Sequence, residues 1–274
     1  MRRRLLGFLL LGLLIHAAVF AQAPASAVRP AAAKPAVAKP PVPRTADGKP
    51  DLSGVWQGGS LSFAIGNDNA SQYSAPTVPT AGTAPAKPEP MPYTAEAQKI
   101  MQGYRDRRGI DDPMARCLMV GVPRITSMPM PFQITQTKEQ TLILYESFHA
   151  FRIIPSNGRP HPEDLEPSFM GDSTGHWEGD TFVVDVIGFN TKTWLGGVGT
   201  IHSEKLHVTE RYTRTDFDTI LYEVKMEDPE VFTKPYNQRA TIRLRPNDRV
   251  REYECGENNE DIVRFETILK GQVK

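Results

Sequence analysis

Cysteine is scarce: the 274 residues hold two, Cys117 and Cys255. Two thiols cannot build a disulfide-stapled miniprotein or a four-thiolate zinc site. A surplus of charge is also missing. Thirty-two Lys and Arg stand against 32 Asp and Glu, without the basic excess that marks a nucleic-acid-binding protein. Phosphate-binding loops, dinucleotide fingerprints and kinase motifs are absent. Gly196-Gly197-Val198-Gly199 follows no suitable strand and opens no helix, so it reads as a loop. No His-Glu-x-x-His, paired Cys-x-x-Cys or calcium-loop pattern occurs. Neither a cofactor nor a metal is therefore expected. What is present, 39% hydrophobic and 8% aromatic residues, suffices for a core and excludes a wholly disordered chain.

Arg2-Arg3-Arg4, an apolar run over 5–20 and Ala21-Gln22-Ala23 have the layout of a secretory signal peptide. The run is short for a spanning helix, so no stable membrane span is expected, and the protein is placed in the periplasm or outside the cell. Cleavage after Ala23 would remove three arginines and no acid, leaving a net charge of −3. In that oxidising setting Cys117 and Cys255 read as one disulfide, with two separately buried thiols as the alternative. A bridge so distant in sequence is worth about 4–5 kcal/mol in the chain-entropy model.

Residues 24–50 hold seven prolines and residues 75–92 six, so these windows account for 13 of the 24. They read as extended linker: a Pro/Ala-rich tether over 24–50, and a Pro-rich loop inside a single domain running from 51 to 274. A helix is expected from Thr94 to about Arg107. Thr94 can cap it, and Ala97, Ile100, Met101 and Tyr104 share one face. An opening strand is expected over 51–57. Beyond Pro131 the period changes to that of strands, over 132–136, 141–146, 150–154, 182–187, 206–213, 220–226, 240–244, 250–255 and 262–268, with a tight turn over 177–181. The fold class is mainly β, an antiparallel lipocalin-like barrel or sandwich with one N-terminal helix and a Pro-rich insertion.

Three blocks, DLSGVW over 51–56, GDSTGHWEGDT over 171–181 and HSEKLHVTER over 202–211, together with Glu227-Asp228-Pro229 and Glu257-Asn258-Asn259, resemble a large group of secreted bacterial hypothetical proteins. The likeness covers most of the chain from about residue 44 and brings no activity with it. Gly54-Val55-Trp56 on a first strand is similar to lipocalins. In that family the Trp plugs the closed end of the barrel and a late Arg packs over it, a role the resemblance gives here to Arg264 or Arg251. The chain departs from lipocalins in its length and in the 57–130 insertion.

The segment from His202 to Arg211 is richest in chemistry. Continued as a strand, it puts His202, Glu204, Leu206, Val208, Glu210 and Tyr212 on one face, with the apolar members marking that face as buried. A buried carboxylate needs a partner, and an imidazole beside one forms an acid–base pair. His202, Glu210, Glu204 and Asp172 are the candidate catalytic groups. An equally open reading is a polar network that only orders the barrel. His202 and His207 are five apart and would point to opposite faces of a strand. Gly171-Asp172-Ser173 is similar to the nucleophile block of one esterase class, but no late Asp-x-x-His follows, and it reads first as a turn. Arg152, flanked by apolar residues, with His161, Trp177, Asn190, Trp194 and Tyr212, forms the candidate ligand-binding set. The expected partner is a small, partly aromatic or apolar molecule. An acid–base enzyme using the same cavity is the alternative, and the oligomeric state is left open.

Overall fold

The structure is a computed structural model describing residues 39–61, 90–107, 110–197, 199–257 and isolated positions of the C-terminal segment beyond. The expected signal peptide, the tether up to residue 38 and most of the Pro-rich loop lie outside the described residues. From Lys39 onward the chain groups as one compact unit.

Nine strands carry the fold: β1 (Gly54–Gln57), β2 (Phe132–Gln136), β3 (Gln140–Tyr145), β4 (Phe151–Pro155), β5 (Asp172–Glu178), β6 (Thr181–Ile187), β7 (His207–Asp216), β8 (Thr219–Glu227) and β9 (Tyr236–Leu244). They form one sheet in the order β4-β3-β2-β1-β9-β8-β7-β6-β5. Neighbours in sequence are neighbours in space, and β9 returns to pair with β1. The result is a nearly closed up-and-down barrel. Every ladder is antiparallel. Strand direction therefore alternates along the sheet, and with an odd number of strands β4 and β5 at its two ends must run the same way. An antiparallel ladder cannot close that seam.

Two consequences follow. The link from β4 to β5 is not a hairpin but a strap, residues 156–171, that must travel the length of the barrel. It lies against the outer wall, where Gly158 N–H donates to Gly175 O at 2.9 Å and Ser168 N–H to Gly188 O at 2.9 Å. The seam also needs a small residue. A Cβ at Gly175 would stand 2.5 Å from Cζ of Phe182 and 3.0 Å from Cγ2 of Ile154 on β4.

Side chains alternate as a barrel demands. Phe132 and Ile134, Ile143 and Tyr145, Phe182 and Val184, Val208 and Tyr212, and Ile220, Tyr222, Val224 and Met226 are all buried in one cluster. Trp56 lies in the same core, its Nε1–H donating to Leu52 O at 2.9 Å. The guanidinium of Arg214 sits over its ring at 5.0 Å and is held by the main-chain oxygens of Asp51 and Phe217. The cation thus gains an aromatic face and carbonyl acceptors without a carboxylate. Arg214, on β7, fills the place expected for Arg264 or Arg251. Both of those are exposed, and Arg251 pairs with Asp248 at 2.9 Å.

The segment between β1 and β2 contains α1 (Ala95–Asp106), capped by Thr94 Oγ1 accepting from Ala97 N–H at 3.3 Å. It packs Ala97 and Met101 into the common core along with Val120, Val122 and Ile125. Cys117 and Cys255 are bridged, with a Cα–Cα separation of 5.5 Å across 138 positions. Other expectations are corrected. Residues 250–255 are not a strand, and the described positions of 260–267 are helical. Gly171-Asp172-Ser173 is not a turn, because Asp172 opens β5.

Candidate functional site inside the barrel

Alternation on β7 aims Glu210 and Tyr212 inward, as the sequence indicates. Glu210 has no exposed surface. Its partners come from strands distant in sequence. Arg152 on β4 approaches with Nη2 2.5 Å from Oε2. The phenols of Tyr212 and of Tyr222 on β8 each donate to Oε1 at 2.8 Å. Tyr145 on β3 completes the wall, its hydroxyl 3.3 Å from Oγ1 of Thr126 in the β1–β2 segment. Arg152 Nη2 also donates to Ser173 Oγ on β5 at 2.9 Å. The guanidinium therefore stitches across the parallel seam, where β4 and β5 form no ladder.

Burial drags the Arg152 guanidinium down, but the charge of Glu210 and the surrounding phenols more than reverse this, so it stands well above its ordinary value. Tyr212 and Tyr222 are pushed well above theirs by burial first and by Glu210 second. Burial likewise raises Tyr145. All three phenols keep their protons, and Tyr212 and Tyr222 donate theirs to Glu210. One part of the cluster is unsatisfied. Nε and Nη1 of Arg152 are buried and make no hydrogen bond of good geometry, the Tyr145 hydroxyl being the polar group that lies nearest to answering them. Each such orphan costs about 1–3 kcal/mol.

The remaining sequence candidates fall into separate places. Asp172 and His161 meet on the outer wall. His161 on the strap contacts Asp172 through Nδ1 at 2.6 Å and Asp185 through Nε2 at 3.0 Å, and Asp185 also takes His207 Nε2 at 2.6 Å. This chain of carboxylates and imidazoles pins the strap to β5, β6 and β7. Each ring nitrogen of His161 faces a carboxylate oxygen. His207, which shares Asp185 with it, has its pKa raised, chiefly by the hydrogen bond to Asp185.

His202 does not share a strand face with Glu210, because β7 begins only at His207. It is buried in the preceding loop, Nε2 2.6 Å from Thr193 Oγ1 and Nδ1 2.9 Å from Ser203 O. The carbonyl can only accept, which puts the hydrogen on Nδ1 and makes Thr193 the donor to Nε2. Ser203 is meanwhile held by Asp228, through N–H at 2.6 Å and Oγ–H at 2.8 Å, and these bonds stand where a continued ladder would have been. Glu204 is exposed. Trp194 is core, its ring 5.1 Å from that of Tyr104 on α1. Trp177 is half-buried against Phe182 at 5.2 Å, with Lys49 over it at 5.9 Å. Asn190 caps its own turn by accepting from Lys192 N–H at 3.0 Å. Among the described residues, His202, Glu210 and Asp172 occupy three clusters, not one. Of the candidate set, only Arg152, Glu210 and Tyr212 converge inside the barrel.

Burial lowers the pKa of His202, with partial relief from Ser203 and Asp228. The unfolded chain therefore takes up this proton first. The stabilisation is fully present above the ordinary value of 6.5 and is lost as pH falls through the lowered value. His207 has the opposite sign: its contribution is present below 6.5 and fades as pH rises through the raised value. Being half-exposed, it is the weaker effect. Urea unfolding of the wild type and His202→Gln between pH 5 and 7.5 should show the wild type losing stability relative to the variant on acidification. Parallel curves would refute the assignment.

Tyr145 and Tyr222 are not among the residues singled out from the sequence, although period-2 alternation along β3 and β8 already places them inward, and Ser173 stands there only in the esterase-like block. No group of three or more His, Cys, Asp or Glu among the described residues is arranged to hold a metal ion. Compared with protein-family models, curated proteins and solved structures, the chain matched none.

Proposed function

We propose that this protein is a secreted β-barrel that binds a small molecule with an apolar or aromatic body, seated beside Arg152. The observation that carries the reading is the pair of orphan guanidinium donors, Nε and Nη1, buried among phenols and apolar side chains. A ligand offering an acceptor oxygen would remove their penalty. Charge narrows the class further. Arg152 is already neutralised by Glu210 at 2.5 Å, so a carboxylate ligand would bring a second anion to one cation in a desolvated site. An uncharged carbonyl, as in a ketone, ester or amide, meets both donors without that cost. The disulfide fits an oxidising compartment, and among the described residues no helix is long and apolar enough to cross a membrane. An acid–base enzyme built on His202, Glu210 and Asp172 would need them at one centre, an arrangement their separate partners do not support.

The test is titration of the full chain with acetophenone, benzamide and benzoate, followed by calorimetry. The first two are expected to bind and benzoate to bind at least tenfold more weakly, with Arg152→Lys abolishing the difference. Equal binding of all three, or of none, would overturn the reading.

A further inference from the structure

Among the described residues only three that are not glycine hold a left-handed backbone: Cys117 (φ 56°), Phe148 (φ 59°) and His149 (φ 48°). Cys117 closes a short 3-10 turn, whereas Phe148 and His149 sit side by side in the β3–β4 connection. Cys117 is far from the other two in sequence, yet all three line one surface cleft. It is walled by Met119, Tyr253, Glu254 and Cys255 as well and has a volume of about 130 Å³. Glycine or asparagine would take such turn positions without steric cost. A bulky aromatic and an imidazole at consecutive left-handed positions are strained, and strain of this kind concentrates where a ligand is gripped.

The cleft is assembled by its own fastenings. The disulfide ties the β1–β2 segment to the stretch after β9. That stretch is docked onto the β3–β4 connection by Arg251 N–H donating to Glu146 Oε2 at 2.8 Å and Tyr253 N–H to His149 Nε2 at 3.2 Å. The second bond occupies His149 Nε2 as an acceptor. Glu254 is the one carboxylate in the lining. Its Oε1 accepts from Gly256 N–H at 3.1 Å. The rings of Phe148 and Tyr253 meet edge to face, with centroids 6.4 Å apart.

Aromatic rings, a thioether, a disulfide and a single carboxylate make a wall that favours a cation over a neutral molecule or an anion. The volume is slightly below that of a cavity known to admit one benzene ring, about 150 Å³. We propose that this cleft binds a small ammonium compound carrying one ring or a short apolar group. It is a site distinct from the barrel interior and independent of any ligand there.

Benzylamine, benzyl alcohol and benzoate, added to the full disulfide-bonded chain, are the probes, with saturation-transfer NMR as the readout. Benzylamine is expected to bind with an affinity on the order of 1 mM and at least tenfold more tightly than benzyl alcohol. Glu254→Gln should remove that tenfold preference. Tyr253→Ala should weaken both amine and alcohol. Both side chains sit at the surface, so neither change threatens the fold. Equal binding of amine and alcohol would overturn the cationic class, and no binding of any probe at about 20 mM would overturn the site. Competition with acetophenone separates the two proposals, since a barrel ligand should leave benzylamine binding unchanged.

Discussion

Arg152→Met is expected to lower the unfolding free energy by about 3–5 kcal/mol, because it leaves the Glu210 carboxyl fully buried without its counter-charge. Glu210→Gln should cost a similar amount. A glutamine oxygen can still accept from Tyr212 and Tyr222, but the Arg152 guanidinium, which keeps its proton, is left buried without its counter-charge. The informative quantity is the double variant. With both charges gone there is no unpaired ion to desolvate, so the combined cost should fall short of the sum of the singles by about 2 kcal/mol or more. Urea denaturation of the four proteins at one pH measures this. Strict additivity would mean that solvent already answers the Arg152 charge. The orphan donors would then carry no penalty, and the argument for a ligand acceptor would go with it. The same variant also probes the seam. Arg152 bridges β4 to Ser173 on β5 where no ladder exists, so hydrogen exchange should quicken first in β4 and β5 and only later in β7 and β8.

That seam marks the boundary of what the sequence disclosed. Alternation within one strand is a local property. It correctly aimed Val208, Glu210 and Tyr212 at the core, and the same count continued two residues further reaches Arg214, the cation over Trp56. The lipocalin likeness pointed instead to the C-terminal arginines, because it assumed that the covering residue comes from the end of the chain. Alternation failed where it was carried backward through Ser203 to His202. There the Asp228 carboxylate satisfies the backbone that a ladder would have satisfied, and strand period has no meaning outside a ladder. The pairing of Arg152 with Glu210 was illegible for another reason. It depends on which strands become neighbours after nine have been laid side by side, and on the parity that leaves β4 and β5 parallel. No window of sequence contains that parity. His161 was read as a loop residue near a pocket, but the same topology makes it a clasp, since a strap is needed only where a hairpin is forbidden.

Converting both Cys117 and Cys255 to Ser is expected to lower stability by about 4–5 kcal/mol, the loop-closure entropy for a bridge spanning 138 positions. The span matters more than the site. It reaches from the β1–β2 segment past β9 and so encloses every strand except β1. Opening it frees about half of the unfolded chain, the half that holds eight of the nine strands. A competing effect runs the other way. In the folded variant the stretch after β9 is held mainly by the Arg251 and Tyr253 amide hydrogen bonds. If these let go, the native state gains freedom too, and the net loss shrinks. The two contributions separate by residue. Retained docking gives the full loss in global unfolding, with protection falling in parallel across β7, β8 and the Arg251 and Tyr253 amides. Release gives a smaller global loss with rapid exchange at those two amides alone. The first is expected, because Phe148 and Tyr253 remain in edge contact and His149 still presents its acceptor. Fast exchange confined to the C-terminal stretch would show that the bridge serves the cleft, not the barrel.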